Sequence, residues 1–125
     1  MNSSLTPIER VLLRAILDQH EDVRPLLSEQ LDRITITSRE PTGVGLYVTF
    51  VDQGPVADES LQRELGFDGE IHLPGVPLGL GAVLDVTRGR LNHLELFTYG
   101  EPWDGNLYDA EILPASNVRD DETDA

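Results

Sequence analysis

Two glycines one residue apart, Gly43 and Gly45, stand directly before a run of valine, leucine and aromatics in "TSREPTGVGLYVTFVDQG", with Arg39 and Glu40 just ahead of them. A Gly-x-Gly step cradles a phosphate when it belongs to G-x-G-x-x-G between a strand and a helix. Here the third position is Val48, in a segment that alternates with the period of a strand. A P-loop requires a lysine, and the chain has none. What remains is a sheet face left bare by Gly43 and Gly45, and again by Gly79 and Gly81, where a backbone, a helix or a ligand can come close. Arg39, Glu40, Gly43 and Gly45 are thus a candidate ligand-binding set, Arg39 and Glu40 being able to bind an anion or react. The competing use of Arg39 and Glu40 is an ion pair that locks one strand to its neighbour.

Other chemistries are poorly served. Cysteine is absent, which removes thiolate nucleophiles, disulfides and cysteine-ligated zinc. His20, His72 and His93 are dispersed, with no H-x-H or H-x-x-x-H spacing to place two on one face, so neither a metal nor a cofactor is expected. His93 shares a strand face with Glu95, and Asp85 falls on the matching face of the paired strand; an acid-base cluster and a solvated outer face look alike at this level. Ser28, Ser38, Ser60 and Ser116 lack a G-x-S-x-G context. No catalytic set is defensible, and the chain reads as a non-enzyme.

The segment "FTYGEPWDG" gathers Phe97, Tyr99 and the only tryptophan around a Gly-Glu-Pro turn. Tyr99, Glu101, Trp103 and Asp104 make a candidate partner-binding cluster, aromatic at its centre and acidic at its rim. Alternatively, Trp103 caps the open end of the core. Charge bears on the partner: 23 acids against 9 bases give −14, and every base is an arginine. Residues 34–118 alone hold four bases and thirteen acids, an excess of −9. A field of that sign disfavours nucleic acid and anionic membranes and steers a basic protein inward, although the same charge also keeps a protein soluble.

The elements that must position these residues follow from periodicity. In a chain of 125 residues we expect one α+β domain over 1–118 and an acidic, disordered tail over 119–125. Thr6 as N-cap, Pro7 at the first helical position and Glu9 as the far side of a capping box start a helix. Ile8, Val11, Leu12, Ala15 and Ile16 mark its buried stripe, widened by Leu13 and Leu17. A second short helix carries Val23, Leu27, Leu31 and Ile34, with Pro25 in its first turn. From Ile34 the period falls to 2. A strand over 43–51 should bury Val44, Leu46, Val48 and Phe50, and 52–68 should be a loop with one helical turn at "DESLQREL". "GEIHLPG" is a strand closed by Pro74, and residues 81–99 form a hairpin with a three-residue loop Thr87, Arg88, Gly89. A last strand is placed at 108–113. The expectation is two N-terminal helices on a mainly antiparallel sheet of about five strands. No leader sequence or membrane span is evident, and a cytoplasmic home is the simplest reading.

"SREPTGVGLYVTF" and "LGLGAVLDVTRGRLNHLELFTYGEPW" together resemble a family of small bacterial proteins of unknown function marked by S-R-E-x-T-G-x-G and a later hairpin ending in T-Y-G…W. With the helical lead-in, the resemblance covers most of residues 8–103. It implies a single α+β domain and no catalytic residues. Two functions remain open. One is an acidic protein-binding module, immunity- or antitoxin-like, that covers a basic protein partner; the other is a small-molecule binder or enzyme using the glycine-bare face near Arg39. A nucleic-acid mimic is a third.

Overall fold

The computed structural model describes residues 4–115; the tail expected over 119–125 and the end of the domain expected at 118 lie outside the described residues. Helix α1 spans Pro7–Asp18. The Thr6 backbone N–H donates to Glu9 Oε1 at 2.9 Å and the Glu9 N–H donates to Thr6 Oγ1 at 3.3 Å, closing the capping box. Its buried stripe is Glu9, Leu12, Leu13, Ile16 and Leu17. The spacing is the expected one, but it starts one residue later, and Val11 is 53% exposed. The cause is Glu9, which turns inward to meet Arg39; rotating the helix to bury Val11 would lift Leu13 and Leu17 out of the core.

The second helix is a single α turn, α2 (Arg24–Leu27), continued by a 3₁₀ turn at Ser28–Asp32. Val23, Leu27, Leu31 and Ile34 are all buried, as the pattern requires.

The sheet has seven strands: β1 (Thr35–Pro41), β2 (Gly45–Val51), β3 (Arg63–Gly66), β4 (Gly69–Leu73), β5 (Val76–Thr87), β6 (Arg90–Thr98) and β7 (Glu111–Pro114). The order is β1-β2-β6-β5-β4-β7, every pairing is antiparallel, and β3 pairs β5. The class is α+β as expected, with seven strands rather than five. One addition is β3, which lies where a helical turn was expected. Leu65, fully buried opposite Leu84, decides it: sheet pairing and burial outweigh a local preference for a turn. The last strand begins at Glu111 rather than 108. Strand β2 begins only at Gly45, so Val44 lies in the connection and is 50% exposed, while Leu46, Val48 and Phe50 are buried as expected.

The β5–β6 hairpin matches the expected faces by a different device. Leu84 pairs Leu94 and Ala82 pairs Leu96, but Thr87 pairs Arg90 across a two-residue turn. Arg88 and Gly89 both have positive φ, 55° and 77°, as a type I′ turn demands. The odd residue needed to keep the faces in step is Asn92, bulged between Leu91, which pairs Val86, and His93, which pairs Asp85. Residues that pair across strands share a face, so rows can be read across the sheet. Pro41, Leu46, Leu96 and Ala82 form one inner row, and Arg39, Val48, Leu94, Leu84 and Leu65 the next. The helices supply Leu12, Leu13, Ile16, Leu17, Leu27 and Leu31 to the same core cluster.

Candidate functional site

The opposite face of the sheet carries two rows as well. Glu40, Tyr47, Glu95, Val83 and Gly66 follow one another across β1, β2, β6, β5 and β3, and so do Ser38, Thr49, His93, Asp85 and Glu64. None of these residues is buried. The two rows hold four carboxylates and no arginine. The arginines of the sheet face the other way or sit at its margin: Arg39 pairs Glu9 at 2.7 Å, Arg63 pairs Asp22 at 2.9 Å, and Arg90 pairs Asp52 at 3.1 Å. Four carboxylates without a partner arginine among the described residues therefore share one open face. Repulsion from the Glu95 carboxylate holds the Tyr47 phenol above its usual pKa, which is the local signature of that field.

At one end of the sheet this face runs into exposed apolar side chains: Leu78, Tyr99 and Val44 are 64%, 58% and 50% exposed. The backbone ties them together. Thr98 N–H donates to the Val44 carbonyl at 2.9 Å and Leu78 N–H donates to Glu101 Oε1 at 3.2 Å. Tyr99 meets Phe97 edge-on at 5.8 Å between centroids. Large exposed apolar groups beside Glu101, with the row of Glu40 and Glu95 on the same sheet, have the composition of an interface centre and rim.

The two residue sets singled out from sequence meet here in part. Trp103 N–H donates to the Gly43 carbonyl at 2.9 Å, and Gly43, Pro102, Trp103 and Asp104 line one cavity of about 500 Å³ with residues 74–76. Trp103, however, is only 7% exposed, and its indole N–H donates to the Asn106 carbonyl at 3.1 Å. It closes this end of the core, and Tyr99 and Leu78 present the apolar surface instead. Gly43 has φ of +92° with open space where a side chain would lie, a turn position rather than a bare strand face. Gly45 is a true close approach: an added Cβ would stand 2.6 Å from the Leu96 carbonyl oxygen. The bare side of Gly81 is covered by the Phe97 ring.

Arg39 does not join Gly43 and Gly45. It lies on the inner face, where its Nε and Nη2 donate to Glu9 Oε2 and Oε1 at 2.8 and 2.7 Å. Glu9 is 2% exposed. Burial works to raise its pKa, but hydrogen bonds from Arg39 and Thr6, with the Arg39 charge, outweigh it and hold the carboxyl below its usual value. Hydrogen bonding to Glu9 raises Arg39 in turn. Glu40, on the opposite face, belongs to the acidic row. The His93–Asp85 pair is 4.0 Å apart, while Asp85 Oδ2 accepts from Thr87 Oγ1 at 2.7 Å and from Asn92 Nδ2 at 2.9 Å. The carboxylate fixes the bulge, and the His93 ring sits edge-on to Tyr47 at 5.7 Å. Among the described residues, no three His, Cys, Asp or Glu side chains are grouped to hold a metal ion, and no helix is long and apolar enough to cross a membrane.

Sequence reasoning missed Leu78, Val44 and Tyr47. The signal for Tyr47 lay in the β1–β2 register, which needs the three-residue connection between Pro41 and Gly45 to be known first. Comparison with protein-family models, curated proteins and solved structures finds no match to this chain.

Proposed function

We propose that this protein is a binding module, immunity- or antitoxin-like in kind, that covers a basic protein partner with the open sheet face and its adjoining apolar end. The observation that carries the reading is the segregation of charge: two outer rows with four carboxylates and no arginine, continuous with the exposed Leu78, Tyr99 and Val44. Carboxylates so placed attract and orient a cationic surface, and the apolar end supplies contacts that slow its release. A basic partner and a protein–protein contact are thus favoured over nucleic acid.

The test is to isolate the partner by cross-linking in native extract and to measure the kinetics of the purified pair. Association should slow as salt rises from about 0.05 M to about 0.5 M, because the screening length shrinks severalfold. The double variant Glu40→Gln, Glu95→Gln should associate more slowly than the wild type. Tyr99→Ala should dissociate about thirtyfold faster if it anchors a hot spot of about 2 kcal/mol. An acidic partner, or association indifferent to salt, would refute the proposal.

A further inference from the structure

A second site lies on the helix side of the sheet. We infer that the cleft between the first turn of α1 and residues 105–110 binds a small apolar molecule with a neutral hydrogen-bond acceptor, which Arg39 receives. The cleft has a volume of about 620 Å³, within the range of roughly 300–1,000 Å³ typical of small-ligand sites. Pro7, Ile8, Leu46, Leu107, Tyr108 and Ala110 supply its apolar lining, and the buried Glu9 and the partly exposed Arg39 its polar pair.

The wall formed by residues 105–110 is built before any ligand arrives. Trp103 Nε1 donates to the Asn106 carbonyl, Asn106 N–H donates to Asp104 Oδ1 at 2.9 Å, and Tyr108 N–H donates to Asn106 Oδ1 at 2.8 Å. Asp109 has a φ of 61°, the left-handed turn conformation that aspartate adopts more readily than most residues.

The polar pair sets the chemistry. Both Glu9 oxygens are engaged, Oε1 by Thr6 N–H and Arg39 Nη2 and Oε2 by Arg39 Nε. Arg39 Nη2 also donates to the Ser4 carbonyl at 3.2 Å. Nη1 has no partner among the described residues, so the guanidinium retains donors for an acceptor in the cleft. Glu9 already balances the charge of Arg39, and the chain carries −14, so an anion gains little there. A cation is drawn by the chain's charge but in the cleft would meet the donors of Arg39, with Glu9 already engaged and only the exposed Asp109 as a carboxylate left to pair with it. A neutral carbonyl or amide on an apolar body fits both constraints.

The test is amide and Arg39 Nε–H NMR of the full chain, titrated with three probes that share one ring: naphthamide, naphthoate and naphthylmethylamine. Naphthamide should shift Leu107, Ala110 and the Arg39 Nε–H saturably. The amine, which lacks an acceptor, should bind about tenfold more weakly or worse, and naphthoate should also bind more weakly than naphthamide. Ala110→Phe and Ile8→Trp, which fill the cleft from opposite walls, should each abolish the shifts while the remaining spectrum stays dispersed. Absence of saturable shifts with naphthamide, tighter binding of either charged probe, or shifts that persist in both filled variants would overturn the inference. None of these outcomes bears on the acidic face, which shares no residue with the cleft.

Discussion

Replacing Arg39 by alanine separates a buried ion pair from a surface one. Glu9 is 2% exposed and its partner's side chain 31%, and two hydrogen bonds of 2.7 and 2.8 Å join them. Arg39→Ala leaves the carboxylate with the Thr6 N–H alone, inside a stripe of leucine and isoleucine. Removing one partner of a buried pair costs about 3–5 kcal/mol, whereas an exposed pair is worth about 0–1 kcal/mol. Because Arg39 itself is partly wet, the lower end, about 3 kcal/mol, is expected. Urea unfolding at pH 7 reads this directly: with a slope of about 1–3 kcal/mol per M, the midpoint should fall by roughly 1–3 M. The pH dependence provides a second reading. In the wild type the Glu9 pKa is lowered by folding, so its stabilisation is complete above the unfolded value and is lost as pH falls through the folded one. In Arg39→Ala burial is opposed only by the Thr6 hydrogen bonding and should raise the folded pKa, so the penalty should narrow as pH drops from about 7 to about 5. Replacing both residues by aliphatic ones should recover most of the loss. A cost below about 1 kcal/mol at pH 7, or a penalty that does not narrow in acid, would refute the buried-pair reasoning.

Trp103→Ala should destabilise by about 3–5 kcal/mol in the same assay because the indole belongs to the core, whereas Tyr99→Ala should cost about 1 kcal/mol or less. Arg88→Asn should raise stability by up to about 1 kcal/mol, since asparagine tolerates the positive φ that arginine is forced to adopt at this turn. Asp52 accepts from Arg33 at 3.0 and 2.9 Å and from Arg90 at 3.1 Å. Burial works to raise its pKa, but these bonds, the Gly54 N–H and the two charges hold it below its usual value. Its contribution is therefore full above about pH 4 and disappears as pH falls below that; Asp52→Asn should lower the urea midpoint at pH 7 and flatten its fall between about pH 4 and pH 2.

Local signals carried the helix cap, the change of period at Ile34 and the matched faces of the β5–β6 hairpin into the fold without loss. The elements that were misread depend on partners distant in the chain. Leu65 lies in a polar stretch whose local signal is a turn, and only its place opposite Leu84, nineteen positions later, makes β3 a strand. Glu9 was legible as half of a capping box, which it is, but its second role needs Arg39, thirty residues away. The hairpin required one odd residue, and the placement of that residue at Asn92 rather than in the loop follows from its bond to Asp85. Tyr99 and Glu101 were legible as parts of a surface turn, and Trp103 as a cap on the open end of the core, one of the two uses its sequence context offered; the Asn106 carbonyl and Gly43 that seat it there are contacts that no local pattern encodes.

Strand β5 is bordered by β6 along one side and by β3 and then β4 along the other. Its backbone can be released only if three neighbours move, two of which leave separately. Hydrogen exchange should therefore proceed in a graded order. Amides of β7, a four-residue edge strand whose only strand partner is β4, open first, and those at the centre of β5, around Ala82 to Leu84, exchange only when the whole domain unfolds. A protease acting on locally opened chain would accordingly trim the β7 margin and leave the β5–β6 ribbon as its most resistant product.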